Sequence, residues 1–140
     1  AFLSYKKHLK LYFKGNVMEI IATTNAPQAI GPYSQAIVSG NLIFTSGQIA
    51  LQSDGSFLEG DVTVQTCQVL RNLSAVLEAG GSKLSNVIKT TIFLADMEDF
   101  QKVNSVYGEF FNEHKPARST VAVKALPRNA LVEIEAIALR

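Results

Sequence analysis

Three charged residues stand inside segments that otherwise read as strands: Arg118 within Pro116-Ala117-Arg118-Ser119-Thr120-Val121, and Glu133 with Glu135 within Leu131-Val132-Glu133-Ile134-Glu135-Ala136-Ile137. A guanidinium is a planar fork of N–H donors that matches a carboxylate, so a sheltered Arg118 would select small organic acids over neutral molecules. The two glutamates share one strand face at a separation of about 7 Å. Such a spacing suits the paired carboxylates of an inverting glycosidase, but the chain has no tryptophan to build a sugar platform. The opposing reading involves no chemistry: Arg118 bridges Glu133 or Glu135, or Glu135 pairs with a basic side chain at an interface.

Residue inventory removes several other active sites. His8 and His114 are the two histidines, too few for a Ser-His-Asp triad or a paired-histidine ribonuclease. His114 lies in a polar loop and reads as solvated. No His-x-Glu with paired cysteines is present for a zinc deaminase. Gly31, Gly40, Gly47 and Gly55 stand too far apart for a phosphate-cradling loop. Cys67, the single cysteine, excludes an internal disulfide and reads as a packed, inert thiol among helical core positions. Tyr107, Phe110 and Phe111 recur at helical spacing and read as core.

The elements that must position Arg118 and the glutamates follow from periodicity. In the last strand, Leu131 to Leu139, alternation puts Leu131, Glu133, Glu135, Ile137 and Leu139 on one face and Val132, Ile134, Ala136 and Ala138 on the other. A face mixing acid with apolar groups is that of a subunit interface, a ligand cleft, or both. Upstream, Met18–Ala22 suits a strand, and Thr23–Tyr33, with Pro27, Gly31 and Pro32, is a loop. Ser34–Val38 and Leu42–Ser46 form a hairpin across Ser39-Gly40-Asn41, and Gln52–Gly60 is a polar turn region.

Asp61 caps a helix whose apolar stripe is Val62, Thr66, Val69, Leu70, Leu73 and Leu77, stopped by Gly80-Gly81. Val87–Leu94 is a β-branched strand. Asp96 caps a second helix through Phe100, Val103, Tyr107, Phe110 and Phe111, and Ser119–Val123 precedes the final strand. This order gives an α+β sheet with both helices on one face. The other face stays uncovered unless another chain packs on it, so an oligomer is expected.

Size and charge bound the rest. A chain of 140 residues, 47% of them hydrophobic, forms one core and one domain, here residues 18–140. No apolar run approaches the length of about 18 residues that a membrane span needs. Residues 1–17 carry Lys6, Lys7, Lys10 and Lys14 and no acid, so residues 18–140 hold nine basic against twelve acidic side chains. That balance argues against nucleic acid, which needs a basic stripe. The segment 1–17 reads as an N-terminal extension outside the chemistry, with an address signal as the alternative. A cytoplasmic place is expected, or a mitochondrial or plastid one if the extension belongs to a transit peptide.

Five separated motifs, in order, resemble one family. Asn25-Ala26-Pro27-Gln28-Ala29-Ile30-Gly31-Pro32-Tyr33, Thr45-Ser46-Gly47-Gln48-Ile49, Val103-Asn104-Ser105-Val106-Tyr107, Pro116-Ala117-Arg118-Ser119 and Ile134-Glu135-Ala136-Ile137-Ala138 closely resemble the RidA (YjgF) group of reactive intermediate deaminases. The likeness spans Met18 to Arg140. It implies a chorismate-mutase-like fold, a mixed six-stranded sheet with two helices on one face, assembled as a homotrimer with clefts between protomers. It implies hydrolysis of enamines and imines such as 2-iminopropanoate and 2-iminobutanoate, released by pyridoxal-phosphate dehydratases, to 2-oxo acids and ammonia. No metal or organic cofactor is implied.

By the same resemblance Arg118 would grip the substrate carboxylate and Glu133 would hold the attacking water or accept its proton. Tyr33 and Ser46 would line the cleft, the Gly47 amide would be a further donor, and Asn104 would support the cleft. For Tyr33 and Asn104, fixing a loop or a helix is an equal competitor. Thr120 stands where some members have cysteine, so a hydroxyl or a carbonyl serves there, not a thiol. The loop Asn112-Glu113-His114-Lys115 is shorter than in some relatives. Two other functions compete: an RNA-directed L-PSP-type endoribonuclease or translation inhibitor, and a trimer that binds 2-oxo acids, or acts as a holdase, without turnover.

Overall fold

The computed structural model describes residues 8–13 and 16–140. Strands β1 (His8–Phe13), β2 (Asn16–Ile21), β3 (Ala36–Ser39) and β4 (Leu42–Thr45) come first. Helix α1 (Val62–Ala79), β5 (Val87–Leu94), α2 (Phe100–Phe111), β6 (Ala117–Ala122) and β7 (Val132–Leu139) follow. The strands form one sheet in the order β1-β2-β3-β4-β7-β5-β6. Among the described residues only β5 and β6 are parallel neighbours, and α2 supplies the crossover that a parallel pair requires. The α+β architecture expected from the element order is therefore present.

The six strands expected from Met18 onward are all there, and a seventh lies outside them. β1 pairs antiparallel with β2, placing Leu9 opposite Ile20 and Leu11 opposite Met18. Leu9, Leu11 and Phe13 alternate with Lys10 and Tyr12 at period two, a strand pattern that the lysine-rich composition of the segment obscured. The remaining residues of the 1–17 extension lie outside the described residues, apart from Asn16 and Val17 at the start of β2.

Each helix shows why its sequence stops and starts where it does. The Asp61 carboxylate accepts the Val64 N–H at 3.0 Å and opens α1, whose expected stripe Val62, Thr66, Val69, Leu70, Leu73 and Leu77 is wholly buried. At its end the Gly80 N–H bonds the Val76 and Leu77 carbonyls, and a side chain there would strike Ile43. Asp96 does not cap α2 itself. Its carboxylate accepts the Glu98 N–H at 2.9 Å and caps a short 3-10 turn, Met97–Asp99, which leads into α2. Sequence spacing could not separate that turn from the helix it feeds.

Both helices cover one sheet face. Ile43, Ile92, Ile134, Val132, Ala136 and Ala138 are buried beneath them with Leu70, Leu73 and Leu77. On the opposite face Phe44, Val121 and Leu139 are 41–43% exposed, so the face expected to lack a cover lacks one among the described residues. His114 is not solvated: its Nε2 bonds the Val87 carbonyl at 2.6 Å. The chain reverses at Asn112, φ 55°, which folds the ring back beside Phe111. Among the described residues no helix is long and apolar enough to cross a membrane.

Candidate active site

Arg118 lies on the edge strand β6, paired with Thr90 of β5. Thr90 is fully buried, so the pairing puts Arg118 on the helix-covered side. Its guanidinium carbon sits 5.0 Å from the Tyr107 ring centroid and 5.5 Å from that of Phe100. Both rings come from one face of α2, where positions 100, 104 and 107 line up. Asn104 therefore stands between the two rings, and Thr120 shares the strand face of Arg118 two residues on.

This locality holds unmet polar capacity. Arg118 makes no hydrogen bond or ion pair among the described residues, although it is only half-exposed. Asn104 Oδ1 and Thr120 Oγ1 are buried without a hydrogen-bond partner. Buried polar atoms are nearly always paired in finished structures, so two orphans beside an unpaired guanidinium make this the candidate place for a ligand.

Glu133 occupies a second locality. The β4–β7 ladder runs to Phe44 opposite Ile137 and resumes at Gln48 opposite Ile134, so β4 carries one residue too many between those points. That bulge is Thr45-Ser46-Gly47, and bulges re-aim side chains. Thr45 fills the gap by accepting the Ala136 N–H on its Oγ1 at 3.0 Å. Gly47 is then pressed against the carboxylate: a Cβ there would run into Glu133 Oε1 and lie 2.9 Å from Glu133 Cδ. Only glycine leaves that carboxylate its place.

Burial pushes the Glu133 carboxyl above its ordinary range, and the Glu135 charge on the same strand face adds to the rise. A carboxylate so shifted gives up or takes a proton closer to neutral pH. Ser46 donates its hydroxyl to the Ser34 carbonyl at 2.5 Å, which ties the bulge to the loop bearing Tyr33. Gln35, buried one residue further, holds that loop by donating to the Thr23 and Pro27 carbonyls and accepting the Thr23 N–H. Tyr33 itself is 53% exposed and its phenol makes no hydrogen bond among the described residues, so it does not act as a loop fastener.

The expected site residues thus fall into two groups. Arg118, Asn104 and Thr120 gather at the α2 edge; Glu133, Gly47 and Ser46 gather at the bulge, with the Tyr33 loop attached. They are not brought together within the chain. Phe93 pairs with Glu133 and Thr91 with Glu135, whereas Thr90 pairs with Arg118, and successive residues of β5 point to opposite faces. Arg118 and the two glutamates therefore face opposite sides of the sheet, and the alternative of an ion pair between them within one chain is excluded. Tyr107, Phe110 and Phe111 belong to or pack on the core as their spacing predicts; the sequence did not show that the Tyr107 and Phe100 rings also lie under Arg118. Among the described residues no three His, Cys, Asp or Glu side chains gather as metal ligands.

A mixed sheet backed on one face by two helices, with an arginine lacking an ionic partner among the described residues on one side and a half-buried, upshifted carboxyl on the other, defines a two-layer α+β protein. The family model described as Endoribonuclease L-PSP matches residues 23–140, and the chain belongs to that family. A RutC family protein of Pyrococcus horikoshii is 54% identical over 123 residues, covering 87% of this chain and 98% of that protein. The 2-iminobutanoate/2-iminopropanoate deaminase of Escherichia coli K12 is 49% identical over 123 residues, 86% of this chain and 96% of that protein. Among solved structures, E. coli TdcF with bound serine superposes with a TM-score of 0.82 at 44% identity, covering 86% of this chain and 98% of that one. The family expected from the motifs is the family found.

Proposed function

We propose that this chain hydrolyses 2-iminobutanoate and 2-iminopropanoate to the 2-oxo acids and ammonia, in clefts between neighbouring copies of a homotrimer. The observation that carries the reading is the placement of an unpaired, ligand-ready Arg118 and an elevated Glu133 on opposite sheet faces. Each face offers half of a site, and a second copy presenting its Glu133 side to the Arg118 side of the first completes it. The uncovered apolar face with Phe44, Val121 and Leu139 supports association. The similarity to a protein named for this deaminase activity, and to one solved with serine, supports the substrate size.

In this cleft the Arg118 fork holds the substrate carboxylate. Glu133 of the adjoining copy accepts a proton from water as the water oxygen bonds to C2 and the C=N electron pair moves to nitrogen. Glu133 returns that proton to the nitrogen, giving a carbinolamine. It then takes the proton of the C2 hydroxyl and passes it to the nitrogen, and as the oxygen electron pair closes the C2 carbonyl the C–N bond breaks and ammonia leaves. Water is the only co-reactant, and no metal or organic cofactor takes part. Asn104 and Thr120 bond the bound acid, the Gly47 amide adds a donor, and Tyr33 and Ser46 line the opening. The reaction fits the cytoplasm or an organelle where amino-acid dehydratases work.

The test generates both imines in situ with a serine/threonine dehydratase and follows their decay with the wild type and with Arg118→Ala. Acceleration by the wild type alone is expected. No acceleration together with tight 2-oxobutanoate binding would replace the enzyme reading with the binding-only one.

A further inference from the structure

We infer that Tyr107, together with Phe100, is a positioning residue for Arg118: the two ring faces hold the guanidinium as a cation with no anion of its own chain beside it among the described residues, leaving its fork free for a carboxylate. This rests on the reading of Arg118 as the carboxylate anchor and adds how the anchor is kept unpaired. A half-buried arginine ordinarily takes an acid as partner, and a bound substrate would then have to displace that acid. Here the partner is a pair of aromatic faces at 5.0 and 5.5 Å, whose negative centres attract the cation without occupying its N–H donors.

The Tyr107 ring is not free to turn away. Its hydroxyl and Thr90 Oγ1 lie 2.7 Å apart in the core, and Thr90 is the ladder partner of Arg118 itself. One residue of β5 therefore sets both the strand that bears the guanidinium and the ring beneath it. Phe111 also packs on Tyr107 with centroids 4.4 Å apart. Burial pushes the Tyr107 phenol above its ordinary range, so it does not become an anion that would capture Arg118. Phe100, only partly buried, closes the bracket from the start of α2.

The experiment compares Tyr107→Leu, Tyr107→Phe and Phe100→Leu with the wild type by calorimetric titration of 2-oxobutanoate and by KM and kcat on the in situ imines. Tyr107→Leu should weaken 2-oxobutanoate about tenfold and raise KM by a like factor, equivalent to about 1.4 kcal/mol, while kcat moves less than about threefold. Tyr107→Phe, which keeps the ring face, should stay within about threefold of the wild type in both. A merely structural Tyr107 would lower thermal stability in both variants without this split.

Equal damage from Tyr107→Phe and Tyr107→Leu, unchanged acid binding in a folded Tyr107→Leu, or a loss confined to kcat would each overturn the inference. If Tyr107→Leu does not fold, Phe100→Leu decides: a rise in the 2-oxobutanoate Kd and in KM of at least threefold supports the bracket, and wild-type values overturn it. Calorimetry needs no turnover, so failure of the deaminase reading with acid still bound leaves the bracket testable. Absence of acid binding by the wild type overturns both.

Discussion

Mixing two inactive variants should restore activity to a calculable level. If each cleft takes Arg118 from one copy and Glu133 from its neighbour, neither Arg118→Ala nor Glu133→Gln makes an intact cleft alone. Loss of a two-pronged, charge-assisted carboxylate contact costs about 3 kcal/mol, roughly 150-fold in kcat/KM. Loss of a positioned general base costs about 100-fold or more. Both parents should therefore fall to about 1% or less. In oligomers refolded from an equal mixture, a cleft draws its arginine from the Glu133→Gln chain half the time and its glutamate from the Arg118→Ala chain half the time. About a quarter of the clefts are then intact, giving at least a twentyfold gain over either parent in the imine-decay assay. Wild type mixed equally with the double variant should also give about a quarter, where self-contained sites would give about a half. Activity of the two-variant mixture no higher than the mean of its parents would refute the opposed-face assignment.

Other expectations follow from single contacts. The acid limb of the kcat/KM profile should lie above the ordinary carboxylate range, with activity lost as pH falls and Glu133 is protonated, and Glu133→Gln should lack that limb. The raised carboxyl means the folded state binds a proton more tightly than the unfolded chain, so stability should fall as pH rises through the shifted value. Glu133→Gln should accordingly melt higher than wild type near neutral pH and lose that advantage in acid; a lower melting temperature at neutral pH would contradict the burial argument. Gly47→Ala should displace the carboxylate and lower kcat by about 10- to 100-fold, with 2-oxobutanoate affinity reduced less, as calorimetry would show. Asp61→Ala should remove about 1 kcal/mol of cap stability and lower the melting temperature by a few degrees with kcat unchanged.

The sequence carried the strands and helices well where one face is apolar and the other polar. The alternation of Val132, Ile134, Ala136 and Ala138 matches the buried set of β7 residue for residue, and every residue of the α1 stripe is buried, though Gln65, Asn72 and Val76 are buried beside it. It carried less where composition masked period, as in Leu9, Leu11 and Phe13 among lysines, and where a 3-10 turn was fused to a helix after Asp96. His114 was misjudged because its partner is a backbone carbonyl 27 residues away in sequence, which no side-chain pattern announces. The motifs named Arg118 and Glu133, but their separation onto opposite faces emerged only from register, since β6 and β7 flank β5 and the parity of each pairing fixes the side. The bulge at Ser46-Gly47 was likewise invisible, being a count of residues between two ladder contacts.

The place of β7 shapes how the protein is made. It follows every other strand in sequence yet lies between β4 and β5, so a nascent chain leaving the ribosome displays two open strand edges until β7 arrives. Those edges, Leu42–Thr45 and Val87–Leu94, are apolar and β-branched, the kind that pairs with other chains when left waiting. Translation runs at about 5 to 20 residues per second, so the interval is one in which chaperones have time to act. The strand that closes the sheet is also the strand that bears Glu133, which means that a chain stopped before β7 has neither a finished core nor the carboxyl held against Gly47.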